Sequence, residues 1–149
     1  MTVATAVCVD ASLVIKWLIA EDDGAPAEAL ADNWTEHRVK RLAPDLLAFE
    51  VTNVLWQQCR RKRVSYERAL AALEAFWAFP IHMYTSESLC REGLLIARQY
   101  ELPSAYDAQY LALAIMAGCD LWTADRKLYG MVSGTDAPVR FFTEPPLPL

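Results

Sequence analysis

Four acidic side chains stand where a chain rarely puts charge. Asp10 closes the apolar run "TAVCVD", and Glu50 interrupts "LLAFEVTNVL". Asp107 lies just ahead of the greasy stretch from Tyr110 to Gly118, and Asp125 follows directly on "DLWTA". Carboxylates gathered within a few ångströms repel one another, and at least one takes up a proton if left alone. A hard divalent cation such as Mg²⁺ or Mn²⁺ removes that repulsion and prefers oxygen ligands. Beside a phosphodiester, such an ion polarises the phosphoryl oxygen, makes a nucleophile of water and stabilises the leaving oxygen. Acids kept in apolar surroundings therefore point to a cation that joins them there.

Other chemistries lack their residues. The two histidines, His37 and His82, lie far apart and outside any H-E-x-x-H context, and no G-x-S-x-G elbow occurs. Neither G-x-x-x-x-G-K nor G-x-G-x-x-G is present to cradle a phosphate. Cys8, Cys59, Cys90 and Cys119 are scattered without a C-x-x-C pair, which reads as reduced core thiols rather than disulfides or zinc ligands. The net charge of −5 argues against binding nucleic acid by bulk electrostatics, so any such role rests on a local site. No apolar run approaches the ~20 residues that cross a bilayer, and the start "MTVATAVCVD" lacks the features of a signal peptide, so a cytoplasmic protein with no membrane partner is expected.

The elements that must position the acids follow from pattern and punctuation. Strands are expected at 5–10, 41–44, 81–84, 120–124 and 139–142, each a short β-rich run. Helices are expected over 12–21 with Ser12 as its cap, 25–37, 45–63, 65–79, 86–100 and from 104 or 105 to 117, with "RKLYG" as a short helix after Asp125. Gly118 stops the sixth of these and Pro80 follows the fourth. Strands separated by helices predict one α/β domain over 1–149, a sandwich on a mainly parallel sheet of four to five strands, with 143–149 as a proline-rich tail. In such sheets, sites form beyond the carboxyl ends of the strands. Asp10 and Asp125 close strands at that end, while Asp107 and Glu50 lie early in their helices, so all four can meet at one edge.

"VCVDAS", "LLAFEVTNVL", "YDAQYLALA" and "LWTADRKL", in that order and over nearly the whole chain, resemble the motifs of the PIN-domain family, and most of all its VapC toxins. Those toxins are the ribonuclease halves of bacterial type II toxin–antitoxin pairs. The resemblance implies a PIN-like α/β/α sandwich and a Mg²⁺-dependent endoribonuclease, with Mn²⁺ able to substitute. It places Asp10, Glu50, Asp107 and Asp125 on the family's acidic quartet, with Asp10 and Asp107 as principal metal ligands and Asp125 and Glu50 completing the cluster directly or through water. Ser12 falls on the small hydroxylic residue after the first acid, and Thr123 on the threonine before the last. It further implies a homodimer, an RNA substrate and a VapB-like antitoxin whose C-terminal segment is received by the helices at 12–21, 45–63 and 65–79.

Each feature also has a plainer reading. Asp10 is equally a strand-end turn residue, and Asp107 and Asp125 also read as helix-start acids facing unpaired N–H groups, the stronger reading for Asp125 taken alone because "RKLYG" follows it. Glu50, Asn53 and Gln57 form a polar stripe that either touches substrate or faces solvent. "RRKR" (60–63) is either a phosphate contact or a set of cations complementing a helix C-terminus, and if the helix is continuous it lies about 15 Å from Glu50. Arg126 and Lys127 adjoin Asp125 as candidate substrate contacts. Trp17, Trp34, Trp56, Trp77 and Trp122 are each expected in the core. The rival to the nuclease is a non-catalytic, PIN-fold protein-binding module whose acids grip a basic partner. A phosphatase with Asp10 as nucleophile lacks its second acid, since Ser12 stands in that place.

Overall fold

The computed structural model describes residues 4–146, so residues 147–149 of the proline-rich tail and residues 1–3 lie outside the described part. Five strands, β1 (Ala6–Val9), β2 (Lys40–Pro44), β3 (Ile81–Tyr84), β4 (Leu121–Thr123) and β5 (Val139–Phe141), form one sheet in the order β3-β2-β1-β4-β5. Every pairing is parallel. Parallel strands need a crossover between them, and helices supply it: α1 (Ala11–Leu18), α2 (Ala25–Glu36), α3 (Leu46–Arg60), α4 (Tyr66–Ala78), α5 (Glu87–Gln99), α6 (Ala105–Ala117) and α7 (Arg126–Val132). The result is an α/β/α sandwich, as the pattern of short apolar runs and helices predicts.

Strand β1 is central, with Val7, Cys8 and Val9 all buried, because covering both sheet faces leaves no solvent side for a polar alternation. Helix α1 touches α2, α3 and α4, while α5 and α6 pack together and α6 lies on β1 and β2. That packing is close at Gly93, where an added Cβ would stand 2.0 Å from Nε2 of Gln109. Helix α6 carries buried residues all round its middle, from Tyr110 to Ala114, and Gly118 ends it in the left-handed conformation at φ 66°.

Three sequence expectations change. Ser12 does not cap α1; Asp10 does, its Oδ1 accepting from the Leu13 N–H at 3.1 Å, and Ser12 sits within the first turn. A carboxylate one residue beyond the strand reaches the third helical N–H better than a hydroxyl already inside the helix. Trp56 and Trp77 are exposed rather than in the core, at 54% and 62%, because the third and fourth helices bury narrow stripes of smaller residues instead. Cys90 is likewise exposed on α5. Trp34 and Trp122 are buried and meet edge-on at 5.6 Å, and Trp17 packs against Trp34 at 6.1 Å.

Candidate functional site

Asp10 is where the fold concentrates its polar investment. It is 6% exposed, and both carboxylate oxygens are held. Oδ1 accepts from the Ser12 hydroxyl at 2.6 Å as well as from the Leu13 N–H, and Oδ2 accepts from the Thr123 hydroxyl. Each hydroxyl is itself fixed by a backbone donor. The Ala124 N–H donates to Ser12 Oγ at 2.9 Å, and the Asp125 N–H donates to Thr123 Oγ1 at 3.0 Å. With those donors in place both hydroxyl protons turn to Asp10 at shorter range than the 3.2 Å between Ser12 Oγ and Thr123 Oγ1, which suits an ionised carboxylate with no proton of its own. The network stitches the end of β1 to the end of β4, adjacent strands of the sheet.

The charge on Asp10 is nonetheless costly. Burial pushes its pKa up to about 6, against the pull of the Ser12, Thr123 and Leu13 donors, and the Asp125 field adds to the rise. Asp107, half-buried in the first turn of α6, is raised by burial and then by Asp125, with Lys127 easing the effect. Glu50, half-buried on α3, is raised by burial and by Asp107, opposed by a hydrogen bond from the Tyr110 hydroxyl at 2.7 Å. The four acids thus form a chain of neighbouring fields, Asp10 to Asp125, Asp125 to Asp107 and Asp107 to Glu50, beginning at the carboxyl ends of β1 and β4. None of the four forms an ion pair among the described residues.

Their remaining hydrogen bonds are uneven. Asp125 caps α7, with Oδ1 accepting from the N–H groups of Lys127 and Leu128 at 2.9 and 3.1 Å, so its helix-start role is real. Among the described residues its Oδ2 and Oε2 of Glu50 have no hydrogen-bond donor, and Asp107 accepts none on either oxygen. No three acid, histidine or cysteine side chains among the described residues already form a closed metal-ligand set. The donor chemistry still fits Mg²⁺, which binds through one or two carboxylates and keeps several waters. It does not fit a softer metal, because the nearest thiol, Cys8, is fully buried and its own pKa is pushed well up by that burial.

The other singled-out residues fall at the margin. Asn53 is exposed on α3 and Gln57 is half-buried. Arg126 is exposed, its guanidinium 5.1 Å from the centre of the Phe141 ring. Tyr110 is the polar residue that spacing did not flag. It is 1% exposed, sits one turn after Asp107 on an apolar helix, and spends its hydroxyl on Glu50. Only the general rule that a buried tyrosine seeks a partner could have raised it.

The PIN domain family model matches residues 7–132. Ribonuclease VapC3 of Pyrobaculum aerophilum is 32% identical over 124 residues, which cover 80% of this chain and 89% of that one. The crystal structure of PAE2754 from the same organism superposes with a TM-score of 0.65 at 28% identity, covering 91% of this chain and 83% of that one. A toxin–antitoxin complex from Klebsiella pneumoniae contains a chain with a TM-score of 0.61 at 17% identity, over 89% and 97% of the two chains; that likeness is one of fold.

Proposed function

This chain belongs to the PIN-domain family, among its VapC-type members, and from that membership we propose that it is a Mg²⁺-dependent endoribonuclease, the toxin of a toxin–antitoxin pair. The observation that carries the reading is the buried Asp10, clamped by two hydroxyls and a backbone N–H, with Asp125 in its field, Asp107 in that of Asp125 and Glu50 in that of Asp107, and no basic side chain among the described residues paired to any of them. Without a cation this is a destabilised arrangement; a phosphodiester substrate, itself anionic, would worsen it.

Asp10 and Asp107 would hold the ion, with Asp125 and Glu50 joining directly or through its waters. When bound, Mg²⁺ supplies charge neutralisation at the phosphoryl oxygen and a more acidic water. The protein's part is positional. Ser12 and Thr123 would keep Asp10 ionised and immobile, each donating to one of its oxygens while a backbone N–H donates to the hydroxyl. Asp125 is anchored by the first turn of α7 with one oxygen turned free, and Tyr110 anchors Glu50 in the same way. These free oxygens would orient the attacking water or take its proton. Attack by water on phosphorus breaks the bond to the 3′ oxygen and leaves 5′-phosphate and 3′-hydroxyl ends. Arg126 and Asn53, both exposed, would meet the flanking backbone.

The antitoxin and the homodimer belong to this proposal. The family relatives solved in toxin–antitoxin complexes support the first. Exposed Phe49 and Trp77, 74% and 62% accessible on α3 and α4, with Leu94 and Leu95 on α5, support apolar contacts with other chains. Among the described residues no helix is long and apolar enough to cross a membrane.

The test is cleavage of total cellular RNA by the purified protein, with the new 5′ ends mapped. Cleavage that requires Mg²⁺, stops in EDTA and disappears in Asp107→Asn is expected. Equal cleavage by Asp107→Asn, or none by either form with Mg²⁺ and Mn²⁺ present, would refute the reading; absence of both cleavage and any Mg²⁺- or Mn²⁺-dependent thermal shift would favour the binding-module alternative.

A further inference from the structure

The chain's charge is unevenly spread. Residues 57–68, "QQCRRKRVSYER", hold five of the 14 lysines and arginines and one of the 19 acids, so this segment is +4 while the remainder is −9. It forms the corner where α3 ends and α4 begins. Arg60, Arg61, Lys62, Arg63 and Arg68 are all exposed, and none is ion-paired among the described residues. Two large aromatic side chains are exposed beside them, Trp56 at 54% and Tyr66 at 60%. Complementing the dipole of α3 accounts for one or two cations in its last turn, and for neither the continuation beyond it nor the aromatics.

The corner is also continuous with the acid site. At 100° per residue, Glu50, Asn53, Gln57 and Arg61 fall along one side of α3, with Trp56 and Arg60 on its shoulder. From Glu50 to Arg61 the rise is about 16 Å, the length of about five stacked nucleotides at ~3.4 Å each. A ridge that starts at a carboxylate pocket, passes through amides and ends in cations flanked by aromatics matches a polyanion with flat bases better than it matches a folded acidic protein. Cations take the phosphates, and Trp56 and Tyr66 offer faces on which bases stack whatever their sequence.

We propose that the α3–α4 corner is a docking site for single-stranded RNA, holding the strand about five nucleotides from the bond to be cut. The proposal rests on the ribonuclease reading of the acid site. It makes the corner the local exception that lets an acidic protein hold RNA. Affinity then resides at the corner and chemistry at the acids, so the two are separable.

The experiment measures binding of a fluorescent 20-nucleotide oligouridylate to Asp107→Asn protein in EDTA, across a salt series, so that cleavage plays no part. In that background, changing Arg60, Arg61, Lys62 and Arg63 together to Gln should weaken binding at least tenfold at low salt. The slope of log affinity against log salt should flatten by nearly three, at ~0.7 per lost phosphate contact. Changing the three arginines to Lys should keep the slope, and Trp56→Leu with Tyr66→Leu should weaken binding without altering it. With Asp107 restored, the Gln variant should raise KM and leave kcat unchanged. Unchanged affinity and slope in a Gln variant that melts like its parent would overturn the proposal. So would loss of a co-expressed antitoxin with RNA binding intact, which would assign the corner to protein. Should the fourfold variant melt early, Arg61→Gln with Arg63→Gln gives the same reading with half the slope change. RNA that binds at the corner yet is never cut by the Asp107 protein would sink the nuclease reading and spare this one.

Discussion

Replacing Asp10 with Asn separates the cost of the buried charge from the hydrogen-bond network around it. The network can close again around an amide. Oδ1 of the new side chain would keep its bonds from the Ser12 hydroxyl and the Leu13 N–H, and its NH₂ would donate to Thr123 Oγ1. The displaced Thr123 proton has an acceptor waiting in Ser12 Oγ, 3.2 Å away. What disappears is the desolvated charge. With the folded-state pKa near 6 and the ordinary value at 3.8, the unfolded chain loses its proton first as pH rises, so wild-type stability falls between those values and is flat above them. At 1.36 kcal/mol per pH unit, the loss is about 3 kcal/mol. The Asn variant has no such titration. In urea melts with EDTA, its stability relative to wild type should therefore climb by about 3 kcal/mol between pH 3 and pH 7 and then stay level. Saturating Mg²⁺ at pH 8 should close the gap by raising wild type alone, by ~2.7 kcal/mol at one hundred times Kd. A difference between the two proteins that does not change with pH would refute the argument that burial without a partner is what strains this residue.

Substitutions at four other positions probe the same architecture. Thr123→Val keeps the shape of a fully buried side chain but strands Asp10 Oδ2 and the Asp125 N–H, so urea melts should show a loss of roughly 3 kcal/mol, mostly recovered by Thr123→Ser. Tyr110→Phe removes the only hydrogen bond to Glu50 among the described residues, which should cost about 1–2 kcal/mol and move the Glu50 carboxyl further up, readable by carboxyl NMR titration. Trp34→Ala, at 3% exposure between Trp17 and Trp122, should cost roughly 3–5 kcal/mol, whereas Trp77→Ala should stay within about 0.5 kcal/mol, measured by thermal or urea unfolding.

What the sequence made legible was whatever depends on local order along the chain. Five short apolar runs give five parallel strands, Gly118 ends α6 where a left-handed residue is needed, and Asp10 and Asp125 stand one or two places beyond their strands, at the end where such sheets build sites. The helical face of an amphipathic stretch is harder to read, because it depends on which neighbour arrives. Trp56 and Trp77 lie on helices whose buried stripes are filled by Leu47, Val51 and Leu55 and by Ala69, Ala72 and Phe76, leaving no room for an indole between them. Hydrophobicity alone assigns a tryptophan to the core; only the width of the stripe decides otherwise.

The partners of the acids were illegible for a deeper reason. Thr123 meets Asp10 across 113 residues and Tyr110 meets Glu50 across 60, so no window of sequence contains either pair. Yet these contacts decide what the carboxylates can do. An acid on a strand end with nothing donating to it protonates when buried; the same acid with two hydroxyls locked toward it by backbone N–H groups stays charged and keeps its orientation. Thr123 is locked by its own near neighbour, the Asp125 N–H, but Ser12 is locked, and Thr123 faces Asp10 at all, only because β1 and β4 are adjacent in the sheet, which brings Ala124 over Ser12. Strand order is thus part of the chemistry: with another strand between β1 and β4 the same four acids would persist in the sequence, and Asp10 would keep Ser12 and Leu13 on Oδ1 but lose Thr123, the donor that holds its Oδ2.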